Sequence, residues 1–402
     1  SSSLLSIPLR LLISCSLPVP HLALRKLVAI PIILGFIHLT PFINYVINDD
    51  SLSYISSSNE GDALSTAAGM AVAGKRSVVV MQNSGLGNAV SPLTSLAYVF
   101  RIPLLIIVTH RGAPGLRDEP QHELMGKITG DVFETMATPW EYFPNNENEI
   151  QSALQRAVDY MQKEQRPYAF IMRKGSVSEH ELNNNSVSKV DDRSVDRRSF
   201  ASGQKKLSSR QESLKRIISN TPVDRSVVIA TTGFTGRELY ATDDRANQLY
   251  MVGSMGCASS LGLGIALARP DLRTVIIDGD GAALMRMGNF ATIGSYGQSN
   301  LIHILLDNEV HDSTGAQATV AANVRFADIA AACGYAVSYS GDDPNMIDAL
   351  FEIENNDGPR FGHLKIQSGT IENLPRPEIS PNEVLQRLMK HMNTTFEMGE
   401  PG

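Results

Sequence analysis

The residues with the clearest chemical potential are an aspartate between two glycines and an asparagine further along the chain. Gly279-Asp280-Gly281 directly follows the apolar run Arg273–Asp278, and Asn308 directly follows the next apolar run, Leu301–Asp307. A carboxylate and an amide at neighbouring strand ends can converge on one hard cation, and Mg²⁺ prefers oxygen ligands in octahedral geometry. The glycines would let backbone N–H groups approach phosphate oxygens. An ordinary turn explains the same Gly-Asp-Gly sequence equally well.

These residues need a scaffold, and the chain alternates apolar runs with helical stretches from Ile55 onward. Apolar runs without polar alternation are typical of parallel strands that are covered on both faces. In the first half, strands are predicted at Ser77–Met81, Pro103–Thr109 and Tyr168–Met172, and helices at Gly61–Ala73 and Glu149–Gln162. In the second half, strands are predicted at Ser226–Thr231, Arg273–Asp278, Leu301–Asp307 and Gly362–Gln367. The pattern predicts two doubly wound, parallel-sheet α/β domains.

A polar stretch separates the two halves of the chain. Residues 176–212 are rich in Ser, Asn, Asp and Arg and contain few large apolar side chains, a composition typical of a linker. We therefore predict a first domain over residues 42–175, a linker over 176–212, a second domain over 213–390 and a tail over 391–402.

Length and composition bound the possible functions. The 402 residues suffice for two or three domains, and the charged fraction of 19% lies below the roughly 25% of typical soluble domains. This favours an oligomer with much of its surface buried. The net charge of −7 gives no electrostatic reason to bind nucleic acid. Cys15, Cys257 and Cys333 are too few and too scattered for a disulfide framework or a zinc site, which favours a reducing compartment.

The first 48 residues have an unusual composition, since they include arginine and lysine but no acidic residue. Such a start is typical of an organellar transit segment, and Leu27–Ile47 is apolar over nearly the length of a membrane helix. Pro31, His38 and Pro41 disfavour the membrane interpretation. A buried helix followed by a strand, or a wrongly assembled start, would explain the same residues. We predict an atypical apolar segment over residues 1–41 and a cytoplasmic location, or a mitochondrial one if the segment is a transit sequence.

The Gly-Asp-Gly sequence followed by Asn308 resembles the diphosphate-binding motif of thiamine diphosphate enzymes. The resemblance implies that Asp280, Asn308 and the carbonyl of Val310 hold the Mg²⁺ that anchors the diphosphate, with Gly279 and Gly281 beside it. The sequence Gly253-Ser254-Met255-Gly256 resembles the turn in which an apolar side chain, here Met255, supports the bent cofactor. Without these other motifs, Met255 would be interpreted as a core methionine.

One carboxylate early in the chain extends the resemblance. Glu60, in the sequence Asn59-Glu60-Gly61, matches the family glutamate that hydrogen-bonds N1′ of the aminopyrimidine and so favours deprotonation of the thiazolium C2. A buried acid with a raised pKa suits that role. The sequence Asn83-Ser84-Gly85 resembles the turn that lets the backbone approach the pyrimidine. By itself, Glu60 would be interpreted as an acid favoured at a helix N-terminus.

The absence of a central third domain and the motifs together resemble the phosphonopyruvate decarboxylase family, with sulfopyruvate decarboxylases as near relatives. The resemblance covers about residues 42–390 and implies decarboxylation of 3-phosphonopyruvate to phosphonoacetaldehyde and CO₂, with thiamine diphosphate and Mg²⁺, in phosphonate biosynthesis. Family members carry a GVPDS-like segment that lines the substrate pocket, and the corresponding residues here read Gly35-Phe36-Ile37-His38-Leu39. Decarboxylation of sulfopyruvate or another 2-oxo acid is one alternative, and a non-catalytic scaffold of the same fold is another.

A phosphonate substrate carries two negative charges and requires cationic or N–H donors when it leaves water. The loop after Pro103–Thr109 offers three candidates: Arg111, Arg117 and His122. The alternative for its arginines is a solvated surface.

Four polar residues follow the proposed metal ligands and would face the reacting carbon: His311, Asp312, Ser313 and Thr314. Of these, His311 or Asp312 could carry the proton that completes the reaction. The alternative is a hydrogen-bonded turn.

In this family, the glutamate that matches Glu60 and the aspartate that matches Asp280 meet across a subunit boundary. The resemblance therefore implies a homodimer or a larger homo-oligomer, with equivalent sites related by symmetry.

Overall fold

The computed structural model describes residues 28–32, for which the backbone alone is considered, and residues 39–183, 194–354 and 356–396. The chain divides into two compact units at about residue 188. Each unit is built on a parallel sheet with helices between its strands. The predicted fold class is confirmed.

The first unit contains six parallel strands in the order β2-β1-β3-β4-β6-β5. The strands are β1 (Val28–Ile32), β2 (Leu52–Ser56), β3 (Val78–Gln82), β4 (Leu105–Thr109), β5 (Trp140–Tyr142) and β6 (Tyr168–Met172). Within the described part of this unit, six α-helices accompany the strands: α1 (Thr40–Asn48), α2 (Glu60–Val72), α3 (Leu86–Pro92), α4 (Tyr98–Phe100), α5 (Glu123–Thr135) and α6 (Glu147–Glu164).

Helix α2 lies in the interior of the first unit, and every residue from Gly61 to Val72 is buried. Small residues make this possible, because a helix that is covered on all sides must present short side chains to close neighbours. The helix begins after Asn59, whose side-chain Oδ1 accepts a hydrogen bond from the backbone N–H of Gly61 at 2.9 Å. This N-cap fixes where the helix starts, and so places Glu60 at its first position.

The second unit contains seven parallel strands in the order β7-β14-β15-β11-β10-β8-β9. The strands are β7 (Asp196–Phe200), β8 (Ser226–Ala230), β9 (Gln248–Tyr250), β10 (Arg273–Gly279), β11 (Leu301–Asp307), β14 (Val337–Gly341) and β15 (Arg360–Lys365). A short antiparallel hairpin, β12 (Val310–His311) with β13 (Gln317–Ala318), follows β11. Its described residues also form eight α-helices: α7 (Arg210–Ser219), α8 (Phe234–Thr242), α9 (Ala258–Ala268), α10 (Asp280–Met285), α11 (Asn289–Tyr296), α12 (Phe326–Ala332), α13 (Asn345–Glu352) and α14 (Pro381–His391).

Two of the predicted boundaries need correction. The first domain does not begin at residue 42, because β1 lies inside its sheet between β2 and β3. The predicted linker over residues 176–212 contains β7, which pairs in parallel with β14. Strand β7 lies at the edge of the sheet and its central residues are exposed. Its polar sequence therefore resembles that of a linker.

The apolar stretch Leu27–Ile47 differs from one continuous helix, since its described residues form strand β1 and most of helix α1. No helix in the described ranges has the length and hydropathy needed to span a bilayer. The substitution for the GVPDS-like segment falls largely on residues 33–38, which lie outside the described residues.

Candidate active site

Asp280 is the first residue of α10 and directly follows β10. Its side chain is buried, and Oδ2 accepts a hydrogen bond from the Thr319 hydroxyl at 2.5 Å. Burial raises the pKa of the Asp280 carboxyl, the Thr319 hydrogen bond lowers it, and the nearby Asp307 carboxylate raises it again; the net result is a raised pKa. A buried carboxylate whose charge is only partly compensated is a favourable ligand for a cation.

Asn308 lies at the same edge of the sheet as Asp280, because β10 and β11 are parallel neighbours with Gly279 opposite Leu306. Glu309 has a left-handed backbone with φ of 63° and turns the chain between Asn308 and Val310. The Asn308 side-chain Oδ1 accepts a long hydrogen bond from the Val310 N–H at 3.4 Å. The structure thus brings two of the predicted metal ligands to one edge, as the motif requires.

These residues fit a magnesium ion that is shared with a diphosphate. Among the described residues, no three His, Cys, Asp or Glu side chains form a cluster that could hold a metal. Mg²⁺ needs no such cluster, because it usually takes one or two carboxylates and completes its octahedron with phosphate and water. The Asp280 carboxylate, the Asn308 amide and the Val310 carbonyl are all oxygen donors, which leaves the remaining positions to the ligand.

Gly281 is the point at which Met255 and His311 meet. A Cβ built on Gly281 would lie 2.5 Å from Cε1 of His311 and 3.0 Å from Cε of Met255. Any larger residue at this position would therefore push both side chains away. The turn that carries Met255 is shaped by two left-handed residues, Ser254 with φ of 50° and Gly256 with φ of 86°. The structure thus places two of the predicted cofactor-binding residues, Met255 and Gly281, beside His311, the predicted proton carrier.

The remaining polar residues of the predicted site lie in the segment between β12 and β13. Asp312 is largely buried, and its Oδ2 accepts hydrogen bonds from Arg210, Asn308 and the Gly369 N–H. Ser313 and Thr314 are exposed. The Ser313 hydroxyl would lie 3.5 Å from a Cβ built on Gly233, so this segment faces the loop after β8.

Glu60 is half-buried within the first unit, less than the full burial that the sequence predicts. Its carboxylate is covered on one side by Gly85, since a Cβ built on that glycine would overlap with Oε1. Oε2 accepts a hydrogen bond from the Asn88 side-chain amide at 2.8 Å. Glu60, Gly85 and Asn88 therefore form one constellation, and Gly85 provides the space that the carboxylate occupies.

Asn83 is completely buried and fixes the loop that follows β4. Its side chain donates to the Arg111 carbonyl at 2.9 Å and to the Thr129 hydroxyl at 3.0 Å, and accepts from the Arg111 N–H at 3.3 Å. All these partners are protein groups, so Asn83 positions the loop rather than presenting a free amide.

The three substrate candidates that follow β4, Arg111, Arg117 and His122, lie in different environments. Arg111 is buried and its guanidinium is paired with the Asp118 carboxylate, which holds the pKa of that carboxyl well below its usual range. Arg117 is exposed. His122 is buried, and no partner among the described residues reaches its Nδ1.

Comparison with known proteins shows the family to which the chain belongs. The model of the thiamine pyrophosphate enzyme N-terminal TPP-binding domain matches residues 32–133, and that of the C-terminal TPP-binding domain matches residues 233–363. The chain is 40% identical to the phosphonopyruvate decarboxylase of Streptomyces viridochromogenes over 358 residues, which cover 89% of each protein. The chain belongs to the phosphonopyruvate decarboxylase family. It is a thiamine diphosphate-dependent decarboxylase of 2-oxo acids.

A further curated protein and a solved structure are also similar to the decarboxylase. A sulfopyruvate decarboxylase of Methanosarcina acetivorans is 29% identical over 355 residues, which cover 84% of this chain and 88% of that protein. The solved structure of a thiamine diphosphate-dependent 4-hydroxybenzoylformate decarboxylase from Rhodococcus jostii RHA1 covers 87% of this chain and 98% of its own, with a TM-score of 0.64 and 11% identity. At that identity, the likeness shows the fold alone.

The sequence did not indicate several residues that contact the site of this decarboxylase. Asn88 is part of the same glycine-rich sequence as Gly85, so helical spacing from that turn could have indicated it. Thr319 follows the β12–β13 hairpin, and the hydrogen bond from its N–H to the Glu309 carbonyl at 2.8 Å brings it back to the site. Arg210 precedes Asp312 by 102 positions, and no local pattern connects them.

The close approach of Gly85 to Glu60 predicts a specific effect of one methyl group. Gly85→Ala would displace the Glu60 carboxylate, and we expect turnover to fall about 100-fold, as for an ångström-scale misplacement of a reacting group. Gly87→Ala is the matched control, because a Cβ at Gly87 meets nothing within 4 Å. Steady-state kinetics of both variants test this. Equal turnover in the two would show that the Glu60 position does not depend on Gly85.

Proposed function

We propose that this decarboxylase converts 3-phosphonopyruvate to phosphonoacetaldehyde and CO₂, with thiamine diphosphate held by Mg²⁺, as a step of phosphonate biosynthesis. The observation that carries the proposal is the 40% identity to phosphonopyruvate decarboxylase over 89% of both proteins. It is supported by a half-buried Glu60 and by oxygen donors at Asp280, Asn308 and Val310 whose placement suits that cofactor.

Some of the chain's own residues would bind the metal and the cofactor, and others would take part in proton transfer. Asp280, Asn308 and the Val310 carbonyl would hold Mg²⁺, and Met255 would support the cofactor beside Gly281. Bound thiamine diphosphate supplies the electron sink for the carbanion that CO₂ leaves behind. Glu60 would hold a hydrogen bond to N1′ of the aminopyrimidine and keep that nitrogen in its protonated form.

His311 is the residue that we assign to the final proton transfer. Its ring lies against Gly281, next to the residues proposed to hold the metal. An imidazole in this place can act as a general acid toward the product carbon. Asp312 suits that role less well, because its Oδ2 already accepts three hydrogen bonds.

The phosphonate would be recognised by the loop between β4 and α5. Arg117 is exposed and presents a full positive charge, and the buried His122 offers a ring nitrogen. Arg111 would act indirectly by shaping the loop through Asp118. Ser313 and Thr314 would add hydroxyl donors. A dianion taken out of water needs several such donors.

We further propose that the active unit is at least a homodimer, in which Glu60 of one protomer serves the same cofactor as Asp280 of the partner subunit. Exposed apolar side chains near the proposed cofactor and metal residues in the sequence support this. Val252, Met285 and Val320 are 58%, 59% and 63% exposed. Protein interfaces commonly bury large apolar side chains that are exposed on the isolated chain. Sedimentation of the purified chain tests the assembly.

The substrate is tested by supplying the purified chain with Mg²⁺ and thiamine diphosphate and measuring CO₂ release. We expect kcat/KM for 3-phosphonopyruvate to exceed that for sulfopyruvate by at least about 10-fold, since a dianionic phosphonate and a monoanionic sulfonate differ by one full charge. The similarity to sulfopyruvate decarboxylase of M. acetivorans makes the reverse preference the second candidate. No CO₂ from any 3-substituted pyruvate would overturn the proposed substrate.

A further inference from the structure

A buried network of charged side chains contacts Asn308. Arg210, the first residue of α7, donates to Glu238 at 2.9 Å and to Asp312 at 2.7 Å. The three side chains are only 6%, 1% and 8% exposed. The backbone of Gly369 joins the network, because its carbonyl accepts from Arg210 at 2.9 Å and its N–H donates to Asp312 at 3.1 Å. Burying three charges is costly unless each is paired, and here each has partners.

The network contacts the proposed metal site at one atom. The Asn308 side-chain Nδ2 donates to Asp312 Oδ2 at 2.5 Å. An amide has a donor end and an acceptor end, so fixing the nitrogen on Asp312 also fixes where the Oδ1 points. A carboxylate in this place attracts the NH₂ end and leaves the oxygen end for a cation. Residues that orient metal ligands in this way commonly set the affinity of the site.

We propose that Asp312, held in turn by Arg210 and Glu238, is a positioning residue that orients Asn308 toward Mg²⁺. This inference rests on the proposed function, because it presumes that Asn308 binds the metal. Asp312 then affects catalysis through metal and cofactor binding, and it is not the proton donor. The network also connects α7 and the Gly369 loop to the cation, so that binding of the metal depends on residues far apart in the sequence.

The test measures binding without turnover. Thiamine diphosphate is titrated calorimetrically into the full chain, stripped of metal with a chelator, over a series of Mg²⁺ concentrations. In Asp312→Ala we expect the half-saturating Mg²⁺ concentration to rise about 10–100-fold. In Asp312→Asn, which keeps an acceptor oxygen, we expect an intermediate rise. If Asp312→Ala does not fold, Asp312→Asn alone decides, and a Mg²⁺ requirement equal to wild type overturns the proposal.

A double-mutant cycle separates positioning from a general structural role. In an Asn308→Ala background, Asp312→Asn should leave the Mg²⁺ requirement unchanged, because the residue that it orients is gone. Equal shifts in both backgrounds would overturn the proposal in favour of a structural role. Asp348→Asn is the matched control, since Asp348 pairs with Arg216 on the same helix α7. If the wild-type chain itself fails to bind thiamine diphosphate with Mg²⁺, the proposed function fails instead.

Discussion

Replacing Glu60 with glutamine should lower turnover about 100- to 10,000-fold, the usual contribution of a positioned acid or base, while thiamine diphosphate still binds. Glutamine has nearly the same shape and keeps an acceptor for the Asn88 amide, which now bonds to Glu60 Oε2. It cannot, however, hold the negative charge that favours a protonated N1′. Steady-state kinetics and calorimetric titration of the cofactor measure the two effects separately.

The chain provides a close control for this variant. Glu147 begins α6 after an N-cap asparagine, Asn146, just as Glu60 begins α2 after Asn59. The negative charge of each acid stabilises its helix N-terminus by about 0.3–1 kcal/mol. Substituting either acid with glutamine should therefore lower the free energy of unfolding by a similar, small amount. Only the Glu60 variant should lose turnover. Equal turnover in the two variants would show that Glu60 stabilises its helix and takes no part in catalysis.

The strands that position the site could be predicted from the sequence because they are covered on both faces. All seven residues of β11, Leu301–Asp307, are buried, and the continuous apolar sequence reflects this directly. The observed β4 and β6 agree with the predicted runs to within two residues. The short strands β5 and β9 were not predicted, because three residues are too few to show a pattern.

Strand β7 shows where sequence patterning fails for a physical reason. The strand, with the sequence Asp-Arg-Arg-Ser-Phe, pairs with only one neighbouring strand, and its central residues are exposed to solvent. Charged residues on an edge strand discourage pairing with other chains, so they are favourable at this place in the fold. The same composition is typical of a linker. Only tertiary pairing with β14 distinguishes the two.

The placement of candidate site residues at one sheet edge was predictable where they follow strand ends in a fixed motif. Asp280 and Asn308 were found because adjacent parallel strands end at one edge. Their hydrogen-bond partners were not, because Thr319 returns through a hairpin and Arg210 comes from a helix at the start of the second unit. Such partners reach the candidate site through the tertiary fold, and their residue types alone do not indicate that they lie there.

Replacing Asp280 with alanine should abolish the Mg²⁺-dependent retention of thiamine diphosphate, with affinity falling by more than about 100-fold, beyond the usual loss for an outer-shell partner of a metal. The carboxylate is the charged member of the proposed ligand set, and the amide of Asn308 and the carbonyl of Val310 cannot replace its charge. Asp271→Ala is the control, because Asp271 lies just before β10 and pairs with Arg269 at the surface.

Thermal unfolding distinguishes a lost metal ligand from a damaged fold. Burial raises the pKa of Asp280, which means that its charge is unfavourable in the unliganded protein. Removing it should therefore leave the unliganded unfolding temperature unchanged or slightly higher. With Mg²⁺ present and thiamine diphosphate at 100 times its dissociation constant, the free energy of unfolding of the wild type should rise by about 2.7 kcal/mol. The free energy of unfolding of Asp280→Ala should rise hardly at all. A ligand-induced gain equal to wild type would remove Asp280 from the metal site, whereas a lower unliganded unfolding temperature would show that the carboxylate mainly supports the fold.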